Sequence, residues 1–220
     1  MIKNIVFDMD GVLLDTEAVF MRCWKKLGEE LHLPNVEETA RKCIGITVTQ
    51  TEALFQKEYG EKYPCESYVG AANAIFYRQE AEQGIPEKPG VHELFAYLKE
   101  QNYRIGLASS TQQQAVYRQM KAAGIFDDFD VIVCGDMVTK SKPNPDIYLL
   151  VADELGVKPE RCLIFEDIVE GIRAGKNAGM HTCAIDDAAS SHIWQAKVQE
   201  AEYAVRDYYP AIQELARDAE

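Results

Sequence analysis

The stretch that decides the fold is residues 1–17, MIKNIVFDMDGVLLDTE. Residues 5–7, Ile-Val-Phe, form an apolar run typical of a strand that is buried on both faces of a parallel sheet. Asp8 and Asp10 follow where this run ends. Because side chains alternate along an extended chain, we expect both carboxylates to point to the same side. In open α/β sheets, ligands bind at this end of the strands.

Two carboxylates this close repel each other unless a cation lies between them or one of them carries a proton. The pair Asp8 and Asp10 therefore suggests a Mg²⁺ site, or a nucleophile beside a general acid and base. A simple turn is the competing interpretation, since Asp and Gly are common turn residues and Gly11 follows at once. The stretch by itself favours neither interpretation.

Composition narrows the classes of function. The chain has 220 residues with a formal net charge of −13, and 47% of its residues are hydrophobic. Nucleic acids and anionic membranes require clustered cations, so we expect no nucleic-acid partner and no membrane partner. We find no apolar segment long enough to span a bilayer, and the start of the chain, with Lys3 alone before an apolar strand, lacks the features of a signal peptide. We therefore expect a cytoplasmic protein, and a monomer.

A helical block follows the first strand. Apolar residues recur at helical spacing from Thr16 to Leu31. Three further helices are predicted, over residues 36–43, 49–59 and 67–83. No convincing strand pattern occurs among them. The sequence therefore predicts an α-helical cap domain over residues 16–87, inserted into a core domain made of residues 1–15 and 88–220.

Strands and helices alternate beyond Gly90. The predicted strands cover residues 105–108, 131–134, 162–165 and 181–185, and a short apolar patch lies at residues 203–205. The predicted helices cover residues 91–101, 112–123, 146–155 and 168–178, with a final helix from about Pro210. Alternation at this spacing is typical of a parallel sheet with helices on both faces. With the first strand in the same sheet, the predicted fold class is α/β, a Rossmann-like parallel sheet flanked by helices with an inserted small α-helical cap domain.

Reactive side chains follow the ends of the predicted strands. They are Asp8 and Asp10 after the first, Ser109-Ser110-Thr111 after the second, Glu166-Asp167 after the strand over 162–165, and Lys142 in a loop before a helix. Singly, Ser109 would be a helix cap, Lys142 a solvated surface cation and Glu166 the start of a helix. Because the carboxyl ends of parallel strands share one edge of a sheet, their joint placement indicates a site for a phosphate and a metal.

Four short motifs in this order resemble those of the haloacid dehalogenase (HAD) superfamily. They are Asp8-Met9-Asp10-Gly11-Val12, Ala108-Ser109-Ser110, Lys142-Pro143, and Glu166-Asp167 followed by Glu170-Gly171-Ile172. The helical insert directly after the first motif resembles the small cap domain of the branch that contains β-phosphoglucomutase and many sugar-phosphate phosphatases. The resemblance spans almost the whole chain.

The resemblance implies covalent catalysis. Asp8 would be the nucleophile, which attacks phosphorus and forms an aspartyl-phosphate. Asp10 would protonate the leaving oxygen and then accept a proton from the attacking water. Ser109, the backbone amide of Ser110 and Lys142 would bind the phosphoryl group.

The resemblance also implies a Mg²⁺ cofactor. The Asp8 carboxylate, the Asp10 backbone carbonyl and Asp167 would hold the ion, and oxygen donors suit this hard cation. Glu166 would bind it directly or through a water molecule. Thr16 would lie near the hinge of the cap domain.

Two cap positions depart from the mutase pattern. Phe20 stands where β-phosphoglucomutases and many related phosphatases have a histidine. Val48 stands where the mutase has an arginine for the distal phosphate of its substrate. Phe20 and Thr47 are the candidates for substrate contact in the cap domain. A mutase must bind a bisphosphate in two orientations, so the loss of that cation favours hydrolysis.

The expected function is a Mg²⁺-dependent phosphatase that hydrolyses a small phosphorylated metabolite, such as a sugar phosphate, through an aspartyl-phosphate. One alternative is a β-phosphoglucomutase-type phosphosugar mutase. A second alternative is a non-catalytic regulatory protein that binds a phosphorylated metabolite. Such a protein would be expected to lack the nucleophile or a metal-binding acid, and this chain lacks neither.

Overall fold

A computed structural model describes residues 2–44, 46–187, 191–209 and 211. The chain forms two compact units, one made of Met1–Asp15 with Pro86–Glu220 and the other of Thr16–Ile85. The final helix expected from about Pro210 lies, apart from residue 211, outside the described residues.

The larger unit is built on a parallel sheet, which confirms the predicted Rossmann-like fold class. Across the described residues the sheet has six strands in the order β3-β2-β1-β4-β5-β6. They are β1 (Asn4–Phe7), β2 (Arg104–Ser109), β3 (Val131–Cys134), β4 (Cys162–Glu166), β5 (His181–Ile185) and β6 (Tyr203–Val205). The first strand lies between β2 and β4, where the direction of strand order changes, and such a switch point is the usual place for a ligand.

The register of the central strands determines which side chains meet at the carboxyl edge. All four residues of β1 are buried, and Phe7 pairs with Leu107 on one side and Phe165 on the other. The rings of Phe7 and Phe165 stack with their centroids 5.3 Å apart. This register brings the residues that follow Phe7, Leu107 and Phe165 to one edge of the sheet.

The smaller unit consists of helices, and we find no strand among its described residues. They are α1 (Thr16–Leu31), α2 (Val36–Arg41), α3 (Val48–Tyr59) and α4 (Tyr68–Gln83). Its core contains the stacked pair Trp24 and Phe55, whose ring centroids are 4.2 Å apart. Glu52 on α3 accepts hydrogen bonds from the backbone amides of Tyr68 and Val69, which satisfies free N–H groups at the start of α4.

Helices cover both faces of the sheet in the larger unit. They are α5 (Val91–Glu100), α6 (Gln113–Ala122), α7 (Asp146–Leu155), α8 (Val169–Asn177) and α9 (Trp194–Glu200). The sequence did not predict α9, because the residue that this helix buries is Lys197, which is fully buried and donates to the Ile185 carbonyl oxygen at 3.2 Å. An apolar pattern cannot reveal a helix whose inward residue is a lysine.

Among the residues that the structure describes, no helix combines the length and the apolar character needed to cross a bilayer.

Candidate active site

Three buried acids meet at the carboxyl edge of the sheet. Asp8 follows β1, Glu166 ends β4, and Asp167 comes next. Each offers a carboxylate oxygen, and these three oxygens all lie within 4.8 Å of one another. Carboxylate oxygens are the donors that a hard divalent cation prefers, so this group fits Mg²⁺.

Two glycines allow the acids to come this close. Gly11 has a φ angle of +71°, and a Cβ atom there would overlap the Asp167 carboxylate. A Cβ atom at Gly171, in the first turn of α8, would overlap the Glu166 carboxylate. Both carboxylates therefore pack against backbone positions at which only glycine leaves enough room for them.

Lys142 bridges two of the acids. Its Nζ atom lies 2.6 Å from Asp8 Oδ1 and 2.6 Å from Glu166 Oε1, and it also donates to the Ala108 carbonyl oxygen at 3.3 Å. Its side chain is only 5% exposed. The interpretation of Lys142 as a solvated surface cation is therefore wrong, and the lysine brings a buried positive charge to the nucleophile candidate.

Tyr148 is a member of the site that the sequence analysis missed. This residue of α7 is fully buried, and its hydroxyl donates to Glu166 Oε1 at 2.6 Å. The Lys142 ammonium lies 5.0 Å from the centre of its ring, a distance suited to a cation–π contact. In the sequence Tyr148 resembles any aromatic residue on the apolar face of a helix, so its position there carries no signal of this role.

Ser109 ends β2 and is fully buried. Its hydroxyl oxygen accepts a hydrogen bond from the Thr111 amide at 3.1 Å. The interpretation of Ser109 as a helix cap is wrong, since α6 begins after Gln112 and its Gln113 amide donates to Asp136 instead. Ser109 is thus held at the strand end beside the acids.

Ser110 is exposed, unlike Ser109. Together with Lys142 it lines a cavity of about 190 Å³, whose wall also includes Thr139, Lys140 and Ser141. The structure thus brings Ser110 and Lys142 to one concave surface of the larger unit.

Asp10 lies beyond the end of β1, which stops at Phe7, so strand alternation does not determine where its side chain points. Asp10 forms an isolated bridge with Leu14 in a tight loop. Its Oδ2 atom accepts a hydrogen bond from the Thr111 hydroxyl at 3.0 Å. The sequence places Thr111 among the reactive side chains that follow the second strand, but it gave no sign of this contact with Asp10.

Burial dominates the electrostatics of Asp8. Desolvation raises the pKa of its carboxyl to about 8, with Lys142 acting in the opposite direction and Glu166 and Asp10 adding to the increase. Burial disfavours the charged form of Lys142 too, but Asp8 and Glu166 hold its pKa well above the usual range. The lysine therefore stays protonated while the protonation of Asp8 changes near neutral pH.

Three candidate residues belong to the smaller unit. Thr16 begins α1 and is 2% exposed, and no described residue is a hydrogen-bond partner for its Oγ1 atom. Phe20 stacks on Phe76 with 4.2 Å between ring centroids, so this side chain packs against the unit's own core. Thr47 is exposed, caps α3 and exchanges hydrogen bonds with Gln50.

Comparisons with a family model and with individual proteins identify the same family. The model of the haloacid dehalogenase-like hydrolase family matches residues 5–185, which is most of the chain. The chain is 32% identical to the phosphorylated carbohydrates phosphatase of Thermotoga maritima, over 81% of this chain and 82% of that protein. It is 31% identical to the β-phosphoglucomutase of Bacillus subtilis, over 83% of each.

Solved structures agree with the sequence comparisons. CbbY from Rhodobacter sphaeroides, solved in complex with phosphate, superimposes with a TM-score of 0.74. The two chains are 30% identical, and the match covers 94% of this chain and 95% of CbbY.

Proposed function

Because this chain belongs to the haloacid dehalogenase-like hydrolase family and is a hydrolase of the phosphatase type, we propose that it removes the phosphoryl group from a small phosphorylated metabolite, such as a sugar phosphate, with Mg²⁺ as cofactor. The observation that carries this proposal is the buried bridge from Asp8 through Lys142 to Glu166, with both distances 2.6 Å. A nucleophile beside a fixed cation suits attack on an anionic phosphoryl group.

Asp8 is the nucleophile in this proposal. One of its carboxylate oxygens attacks phosphorus, the bond from phosphorus to the leaving oxygen breaks, and the phosphoryl group becomes attached to Asp8. Lys142, Ser109 and the backbone amide of Ser110 hold the phosphoryl oxygens during the transfer. Donors that are fixed before the reaction reduce the reorganisation that accompanies the build-up of charge.

Asp10 moves the protons. It gives a proton to the leaving oxygen in the first step, and it takes one from the water that hydrolyses the aspartyl-phosphate in the second step. The same carboxyl therefore alternates between acid and base, which requires that its orientation be maintained between the two steps.

The carboxylates of Asp8 and Asp167 and the backbone carbonyl of Asp10 would hold Mg²⁺, with Glu166 as a direct or water-mediated ligand. The grouping of carboxylate oxygens within 4.8 Å supports this assignment. When bound, the ion reduces the repulsion between the phosphoryl group and the carboxylate nucleophile.

We propose that the smaller unit serves as the cap domain that selects the substrate, with Thr16 at its hinge. Hydrolysis is favoured over the mutase reaction because Val48, the first residue of α3, supplies no cation for a distal phosphate. Phe20 packs on Phe76, and its side chain cannot titrate as a histidine at this position would.

A substrate screen tests this function. The purified protein is expected to release phosphate from an aryl phosphate and from at least one sugar phosphate in the presence of Mg²⁺, and to lose this activity when the metal is chelated. Conversion of β-glucose 1-phosphate to the 6-phosphate faster than phosphate release would instead establish the mutase. Saturable binding of phosphorylated metabolites without turnover would establish the regulatory protein.

Mg²⁺ binding is expected to release a proton below pH 8. The folded, metal-free protein holds a proton on Asp8 up to a pKa of about 8, whereas a carboxylate ligand must be ionised. The affinity for Mg²⁺ should therefore rise by up to about tenfold per pH unit as the pH approaches 8 from below, and should level off above that pH. Calorimetric titration in two buffers of different ionisation enthalpy measures the released proton. Affinity that is constant from pH 6 to 8 would contradict the prediction.

A further inference from the structure

The Thr111 hydroxyl connects two strand ends that carry different parts of the proposed chemistry. Thr111 lies just after β2 and Asp10 just after β1, two neighbouring parallel strands. Its Oγ1 atom donates to Asp10 Oδ2 at 3.0 Å, although the two residues are 101 positions apart in the chain.

The backbone of Thr111 is itself held on both sides. Its amide donates to Ser109 Oγ at 3.1 Å, and its carbonyl oxygen accepts from the Gly135 amide at 3.0 Å. Threonine is branched at Cβ, so few side-chain rotamers are accessible to it. The direction of the hydroxyl is thus set by Gly135 and by Ser109, which belongs to the candidate phosphate-binding turn.

We propose that Thr111 is a positioning residue that holds the Asp10 carboxyl in the orientation required for proton transfer. This inference rests on the proposed function, in which Asp10 gives its proton to the leaving oxygen as the bond to phosphorus breaks and Asp8 forms the new bond. Asp10 is left as a carboxylate, and the Thr111 hydroxyl donates to the negative oxygen that results. A hydrogen bond to a charged acceptor is stronger than one to a neutral acceptor, so this contact favours the product of the proton transfer.

The leaving group of the substrate provides the test. An alcohol leaves as a strongly basic alkoxide and needs the proton from Asp10, whereas an acidic nitrophenol leaves without one. Replacing Thr111 with valine keeps the shape of the side chain and removes the hydroxyl. For Thr111→Val, kcat/KM on an alkyl phosphate should fall by about 10- to 100-fold, while kcat/KM on p-nitrophenyl phosphate should change by less than about threefold.

Two further variants control the experiment. Thr111→Ser keeps the hydroxyl and should restore most of the activity on the alkyl phosphate. Ser191→Ala also removes a hydroxyl, at an exposed serine of the same unit that is not part of the candidate site, and should leave the activity on both substrates unaffected. Thermal unfolding of each variant shows whether the fold is retained.

The outcomes separate this role from the proposed function. An equal loss of kcat/KM on both substrates would mean that Thr111 only supports the local structure, and no loss on either would mean that the contact is without effect; both results overturn the positioning role alone. If the unaltered protein turns over neither ester with Mg²⁺, the proposed function fails, and the role of Thr111 fails with it.

Discussion

Asp8→Asn is expected to lower kcat by on the order of 10⁴-fold or more, because an amide cannot form the acyl-phosphate that divides the hydrolysis into two steps. The change replaces one carboxylate oxygen by nitrogen and keeps the size of the side chain. Phosphate release from an aryl phosphate with saturating Mg²⁺ measures the effect. A substantial fraction of the activity retained by Asp8→Asn would contradict this prediction.

The fold should survive this substitution. Burial raises the pKa of Asp8 to about 8, so the native protein does not depend on an ionised carboxylate at this position near neutral pH. The midpoint of thermal unfolding of metal-free Asp8→Asn should be equal to or above that of the unaltered protein. Asp127→Asn, the same change at an exposed position of the larger unit, serves as the matched control for both activity and stability.

Lys142→Met is expected to weaken both stability and activity. The substitution fills a similar volume but leaves the buried Glu166 carboxylate without the cation that contacts it at 2.6 Å. Asp8, whose pKa of about 8 keeps it mostly protonated near neutral pH, loses the same neighbour. Removing one partner of a buried ion pair costs about 3–5 kcal/mol in the free energy of unfolding. Loss of a preorganised donor at the transferring group should lower kcat/KM by on the order of 10³-fold. Denaturant unfolding of the metal-free protein and steady-state kinetics measure the two effects.

Mg²⁺ offers an internal check on the Lys142 prediction. If the acids form the metal site, saturating Mg²⁺ should return part of the lost stability of Lys142→Met, since it supplies positive charge to the same carboxylates. Lys158→Met makes the same change at an exposed lysine of the larger unit that is not part of the candidate site, and should change neither quantity by much. Equal effects of the two substitutions would show that the position of the charge does not matter.

The local sequence pattern was sufficient to predict most helices and strands of the larger unit. The predicted strands over residues 131–134 and 181–185 and the helix over 146–155 agree with the structure at both ends, and the apolar patch at 203–205 forms β6. Each is either a short, largely apolar run or an amphipathic segment closed by a glycine, and such signals depend only on neighbours in the chain. The helix α9 was not predicted because its buried residue, Lys197, is charged.

Single residues could not be assigned from pattern in the same way. Ser109 and Lys142 each had an ordinary explanation, and the structure excludes it in both cases because Ser109 is buried at the strand end and Lys142 lies between two acids. Tyr148 was not predicted at all, and Thr111 was placed at a strand end without a role. Their contacts are with Glu166 Oε1, at the end of β4, and with Asp10 Oδ2, after β1, and both partners are distant in the chain.

The sequence by itself determined which chemical groups stand at the strand ends and that those strands form a parallel sheet. The reason is that an apolar run and its end are properties of consecutive residues. Only the tertiary structure decided which groups meet. The threonine reaches an aspartate 101 residues away because β2 and β1 are neighbours in the sheet. The lysine, in the loop between β3 and α7, reaches one 134 residues away. Strand order and register arise from packing between distant segments, so no local run of residues carries them.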